Sequence, residues 1–335
     1  MEQSLLKEFP TEKDYPVAHL LRVFGMTLKD TKGGKKYLAF NVGDKSRELK
    51  FCKKWDSSED EYEKLKSQKL LFITGKTDLW KDNLSILAES LAVPEDNIEP
   101  EVIANLTMST KYHVSEMKKA VWGFIQKMKD PKLKKLGELV VKDDLVKERF
   151  GTWPAAAGHH HAYRSGLLTH VYRLMLIADE YVDTINNNMY PDSRLLVNKD
   201  MVILGCLVHD MWKILEYNED VSYSAWGGIT PHLPMGAIIV NRKMDKIEDF
   251  PEKLRAAVTH MCLSHHGQWG PTTPKTPEAI VLHYLDDMFA KLDPVLEALD
   301  KLVDERTDDD EEFAREHIKS CGGKPWLGAT IIKDE

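Results

Sequence analysis

The period of the apolar residues changes once along this 335-residue chain, at the proline-flanked acidic stretch VPEDNIEPE over residues 93–101. Before that stretch apolar residues alternate, as they do on strands. After it they recur every three or four residues, as they do on helices. One sheet or one bundle cannot satisfy both periods, so two unlike domains are expected. The boundaries fall at residues 1–95, 96–300 and a charged tail, 301–335.

In the first part, Leu38, Phe40 and Val42 share one face of YLAFNV, and Leu49 and Phe51 share one face of RELKF. Gly33–Gly34 in KDTKGGKKY reads as a hairpin turn, and LLFITGK and LSILAES are joined by the short turn DLWKDN. SSEDEYEKLKS, lying between these pairs, reads as a helix. Short strands interrupted by one helix suggest a small barrel of the OB type, with a plain β-sandwich as the alternative.

Beyond Pro100, Val114, Met117, Val121, Ile125 and Met128 form an apolar helical stripe. Four further segments, at 166–182, 199–214, 251–266 and 276–299, read as helices, and strand signals are nearly absent. The whole is therefore a multidomain α+β chain, an OB-type barrel followed by an all-α domain. A hydrophobic share of 42% with 30% charge is that of a soluble globular protein. No apolar run is long enough to span a bilayer and the N-terminus is no signal peptide, so a cytoplasmic protein with no membrane partner is expected. Four scattered cysteines without a C-x-x-C pair argue against a disulfide framework and exclude zinc fingers. The net charge of −8 does not favour indiscriminate coating of nucleic acid. Lysines nevertheless crowd the N-terminal third.

Within the helical part stands an ordered series of metal-ligand residue types: His170, His209–Asp210, His232, His265–His266 and Asp286. Each member except His232 falls in a segment that reads as helix, about one helix per member. Imidazoles and carboxylates converging from several helices are what a metal-assisted hydrolase needs. His170, His209, Asp210 and Asp286 can close around one divalent ion. Asp210, using its second oxygen, can join His232, His265 and His266 around another.

The series H…HD…H…HH…D, with PAAAGHHHAYRSGLLTHV, LVHDMWKILEY, THMCLSHHGQWG and LHYLDDMFAKLD around it, resembles the HD phosphohydrolase superfamily. Joined to an OB-like domain, the chain resembles the YhaM family of 3′–5′ exoribonucleases from about Val17 to Leu299. The resemblance implies shortening of single-stranded RNA, and of DNA as an open alternative, from the 3′ end with release of nucleoside monophosphates. It implies two divalent ions, Mn²⁺ for preference, held by the seven residues of the series. Lys213 fills the lysine of HD-x-x-K and is expected to hold a phosphate oxygen. His160 and His161 match an upstream histidine pair, assigned to substrate phosphate or acid catalysis. Trp212 stands where the family usually has glycine, so an indole could narrow the pocket, stack on a terminal base or pack into the core. Pro231–His232–Leu233 replaces the usual glycine before the third histidine. His283 is expected to orient a ligand, and His260 to lie in the core.

On the barrel, Lys32, Lys35, Lys36, Lys53 and Lys54 with Tyr37, Trp55 and Trp80 are candidates for a strand-binding groove, against the plainer reading of a solvated turn. Lys35, Lys36, Tyr37, Trp55 and Trp212 are the residues expected to touch substrate. Two other functions stay open: a phosphodiesterase of small nucleotides such as cyclic dinucleotides, and a nucleic-acid-binding module with an inactive HD domain. A homo-oligomer is also left open.

Overall fold

The computed structural model describes residues 5–31, 33–44, 46–80, 83–94, 106, 112–156, 163–218, 222–306, 312–328 and 330. The chain divides into two compact units, Met1–Ser109 and Thr110–Glu335.

The first unit is a closed barrel of β1 (Pro16–Asp30), β2 (Lys36–Gly43), β3 (Glu48–Lys54), β4 (Leu70–Trp80) and β5 (Asn83–Ala92), in the order β1-β2-β3-β5-β4. All neighbours are antiparallel except β3 and β5. Helix α1 (Glu59–Leu65) lies between β3 and β4, the connectivity of an OB fold. Ser58 starts α1 by accepting from the Glu61 N–H, and Glu59, Asp60 and Glu61 complement the positive end of its dipole. Closure of the barrel depends on β1, whose first half pairs with β4 and second half with β2. Leu38, Phe40, Val42, Leu71, Ile73 and Ile86 fill the interior.

Two local expectations need correction. The β4–β5 ladder runs on through the Trp80–Asn83 pair, so most of DLWKDN is strand. Leu49 and Phe51 do not share a face. Val42 pairs with Leu49 and Phe40 with Cys52, so β3 carries one extra residue, a bulge. Phe51 adopts φ +64 there and is half exposed, while Leu49 is buried.

The second unit is helical, with only isolated bridges between strands among its described residues. Its helices are α2 (Val114–Lys127), α3 (Pro131–Val141), α4 (Asp144–Arg149), α5 (Gly166–Thr184), α6 (Lys199–Val208), α7 (Lys213–Glu216), α8 (His232–Met244), α9 (Glu252–Ser264) and α10 (Pro277–Glu305). Every residue of α6 from Met201 to Val208 is buried, so α6 is the central helix around which the others pack. Asp130 caps α3 and Thr276 caps α10 through their side chains, each followed by a proline at the helix start. Arg173 of α5 holds the buried Asp293 of α10 with two bonds of 2.8 and 2.9 Å. That fork fixes the two helices one turn past His170 and two turns past Asp286. The tail returns to α10, where Ala314 and Leu327 pack on Ala298, Leu299 and Leu302. No helix among the described residues is long and apolar enough to cross a membrane.

Candidate active site and the barrel face

Five helical segments deliver the histidine–aspartate series to one buried point. His170 and Asp286 project from the interiors of α5 and α10. His209 is the C-cap of α6, and Asp210 follows it in the break before α7. His265 is likewise the C-cap of α9, with His266 next. His232 is the first residue of α8, so it lies on a helix, contrary to expectation. The adjacent pairs thus sit at helix ends, where the backbone departs from the regular 100° step that would separate their side chains.

The polar atoms fall into two sets. In one, His170 Nε2 lies 3.2 Å from His209 Nε2, 3.1 Å from Asp286 Oδ1 and 3.5 Å from Asp210 Oδ2. In the other, His232 Nε2 and His265 Nε2 lie 3.2 and 3.5 Å from Asp210 Oδ1, and the His266 ring is 4.4 Å from that of His265. Asp210 belongs to both, and in each set one donor atom per residue lies within 4.8 Å of the others.

The far sides of the rings are fixed. His209 Nδ1 faces the carbonyls of Gly205 and Cys206 at 3.2 and 3.1 Å, and His265 Nδ1 faces Cys262 O at 3.0 Å. A carbonyl can only accept, so Nδ1 carries the proton and the Nε2 lone pair points inward. His232 Nδ1 is bonded to the Glu216 carboxylate, which also accepts the His232 backbone N–H at 2.9 Å. His283 donates to the His265 carbonyl at 2.6 Å, and the tight turn beneath it requires Gly267, at φ +59. A Cβ at Gly267 would lie 2.6 Å from the His283 ring.

Burial drives His209 down to about 3 and His266 down to about 4, so both are neutral imidazoles at neutral pH. Burial works against the charge of Asp210 and Asp286, but the Lys213 ammonium holds Asp210, and His170 holds Asp286, well below the usual carboxylate range. Lys213 is raised: burial opposes its charge, and Asp210 at 2.7 Å outweighs that. Burial opposes the charge of His232, but Asp210 and Glu216 raise it above the ordinary histidine value. The centre therefore sets neutral His209 and His266 beside ionised Asp210 and Asp286, nitrogen and oxygen donors of the kind a divalent ion takes. Asp210 Oδ1, His232 Nε2 and His265 Nε2 are each buried without a hydrogen-bond partner among the described residues. Three such atoms meeting at one point would each be costly, and one cation would satisfy all three. The residues fit the ions that the sequence pattern implies.

The HD domain family matches residues 167–291, the stretch from α5 into α10 that contains the whole series. The 3′-5′ exoribonuclease YhaM of Oceanobacillus iheyensis is 30% identical over 280 residues, 81% of this chain and 83% of that protein. The 3′-5′ exoribonuclease YhaM of a Geobacillus strain is 25% identical over 297 residues, 86% and 87% of the two chains. The chain belongs to the YhaM family. No solved structure matches it significantly. This YhaM-family chain is thus an HD-domain enzyme of the nuclease and phosphohydrolase class, whose HD domain follows an OB-like barrel in the sequence.

Other expected residues fare differently. Trp212 is only 1% exposed, packed in the main core with Gly236 and the Lys243 ammonium against its ring. An indole so enclosed has no face for a base, so its place among the substrate contacts is corrected. His260 is not in the core: partly exposed, it accepts the Lys275 N–H at 2.9 Å. His160, His161 and Lys32 lie outside the described residues. Glu216 was missed. Its signal is positional, a carboxylate one turn after Lys213 and hence beside it on a helix.

On the barrel, Tyr37 and Trp55 pack ring to ring at 4.8 Å, and Lys53 lies 4.0 Å over Trp80 and 5.7 Å from Trp55. Trp55 and Trp80 remain 44% and 43% exposed. The structure pairs Lys35 with Asp56, Lys36 with Glu59 and Lys54 with Glu61, whereas the described residues give Lys53 no acidic partner.

Proposed function

We propose that this chain shortens single-stranded RNA from the 3′ end, releasing nucleoside monophosphates, with two divalent cations per chain and Mn²⁺ preferred. The observation that carries this reading is the pair of ligand sets sharing Asp210, with unpartnered Asp210 Oδ1, His232 Nε2 and His265 Nε2 aimed at one point. Bound ions would supply a readily deprotonated water and positive charge for the phosphoryl oxygens. His170, His209, Asp210 and Asp286 would hold one ion, and Asp210, His232, His265 and His266 the other. Glu216 keeps the His232 lone pair inward. Lys213, anchored on Asp210, places an ammonium where a phosphate oxygen would gain negative charge. His160 and His161 are assigned to the substrate phosphate or to the leaving group.

The barrel supports a polymeric substrate over a small nucleotide. The exposed Trp55 and Trp80, with half-buried Tyr37 and Lys53, combine rings and a cation, as a surface for stacked bases and a phosphate backbone does. Lys35 and Lys36 would add phosphate contacts once released from their acidic neighbours.

The deciding experiment incubates the purified chain with 5′-labelled single-stranded RNA and Mn²⁺, with and without EDTA, and resolves products by length. A metal-dependent ladder shrinking from the 3′ end is expected. Intact RNA together with cleavage of a cyclic dinucleotide would replace this reading by the small-nucleotide phosphodiesterase. RNA bound but not consumed would replace it by the binding module.

A further inference from the structure

Large aromatic rings left in water beside a buried polar centre need a cause, because each forgoes burial that would stabilise the fold. Two tryptophans stand on the segments that deliver His232 and His266. Trp226 is 71% exposed and Trp269 is 84% exposed.

Trp269 ends the single 3₁₀ turn Gly267–Trp269 that begins directly after His266, and its N–H donates to the His266 carbonyl at 3.1 Å. At about 2 Å of rise per residue, its backbone stays within about 6 Å of that of His266. Trp226 lies in the segment leading to His232, and its carbonyl accepts from Ile229 N and Thr230 N at 2.9 and 2.8 Å.

That second segment is fastened, not loose. The Ser224 N–H donates to Glu216 O at 2.8 Å, its hydroxyl donates to Leu215 O, and Gly227 N–H donates to the same hydroxyl at 2.9 Å. Tyr223 packs on Tyr217 at 5.0 Å. Gly227 is pressed so close that a Cβ there would lie 2.0 Å from Glu216 O. The segment carrying Trp226 is therefore bolted to the residue that orients His232. Since the His232 and His266 rings are 5.2 Å apart, the two tryptophans stand on segments whose histidines meet at one point.

A strand carries one base for every phosphate, so a phosphodiester at the Asp210 centre brings its flanking bases to the neighbouring surface. Resting on the exonuclease reading above, we propose that Trp226 and Trp269 are positioning residues on which the bases of the 3′-terminal nucleotides of single-stranded RNA stack. Every base has a π-face, so such a clamp accepts any sequence. Neither indole touches the reacting atoms.

The test is equilibrium binding of a 5′-labelled tetra-adenylate to the 335-residue chain in EDTA, with hydrolysis in Mn²⁺ read separately. Trp226→Ala and Trp269→Ala should each raise Kd about ten-fold, within the range of base–aromatic stacking. Trp→Phe at either position should restore most of the affinity. A tetramer whose two 3′ nucleotides are abasic should bind wild type and both alanine variants alike. Both indoles are exposed, so thermal midpoints should not move. Wild-type Kd for tetra-adenylate in both alanine variants would overturn the clamp. If wild type binds more tightly than the variants but leaves the RNA intact in Mn²⁺, the exonuclease reading fails while the clamp stands.

Discussion

The barrel face and the helical centre both gather charged and aromatic side chains, but they dispose of charge in opposite ways. On the barrel, the exposed Lys35 and Lys36 have found Asp56 and Glu59. In the helical unit, three buried donor and acceptor atoms converge without hydrogen-bond partners among the described residues. Water and salt screen exposed charges, so an exposed lysine can take any nearby carboxylate at little gain and release it at little cost. A buried imidazole or carboxylate has no such freedom. Unmet demand in the interior is thus the stronger mark of a missing ligand, and a lysine cluster on the surface is the weaker one.

The largest expected effect would break this contrast at its strongest point. Asp210→Asn removes the carboxylate common to both ligand sets, and RNA hydrolysis should fall by at least about 10³-fold, with less metal retained per chain. Hydrolysis and metal content at wild-type levels would mean that the unpartnered atoms mark a polar core and no metal centre.

A smaller effect sharpens it. Glu216→Gln takes the charge from His232 Nδ1 without changing shape, and should weaken Mn²⁺ affinity or activity about 10- to 100-fold, as supporting carboxylates of metal-bound histidines do. An unchanged Mn²⁺ titration would reduce Glu216 to a cap for the start of α8.

The smallest effect lies on the barrel. Lys53→Ala should lower the slope of log affinity for single-stranded RNA against log salt by about 0.7, the value for one phosphate contact. Lys35→Ala, whose ammonium already rests on Asp56, should move that slope less. Equal shifts would show that the pairing seen on this face does not persist when RNA binds.

The HD series and the change of period were legible because both are matters of residue type and spacing. Trp212 was not: a tryptophan beside a catalytic-looking pair reads equally as a stacking platform or as core, and only packing against α8 decides. Glu216 is one carboxylate among 54 acidic residues, and its place one turn after Lys213 cannot show that it meets His232 sixteen residues on. The Phe51 bulge escaped notice because alternation in one strand cannot show an extra residue, which exists only relative to β2. His232 falls outside the segments that read as helix, yet Pro231 is the N-cap of α8 and His232 its first residue.

By itself the sequence determined that a strand-period domain precedes a helical one, and that six of the seven ligand-type residues fall in helical segments. Periodicity and side-chain chemistry are properties of short stretches, so they survive without coordinates. The tertiary structure decided that these seven meet as two sets around Asp210, that Glu216 backs His232, that Trp212 is core, and that Trp226 and Trp269 face water. Those outcomes depend on contacts between distant segments and on what burial does to a charge or a ring. Only the folded chain sets the dielectric and the neighbours of each group.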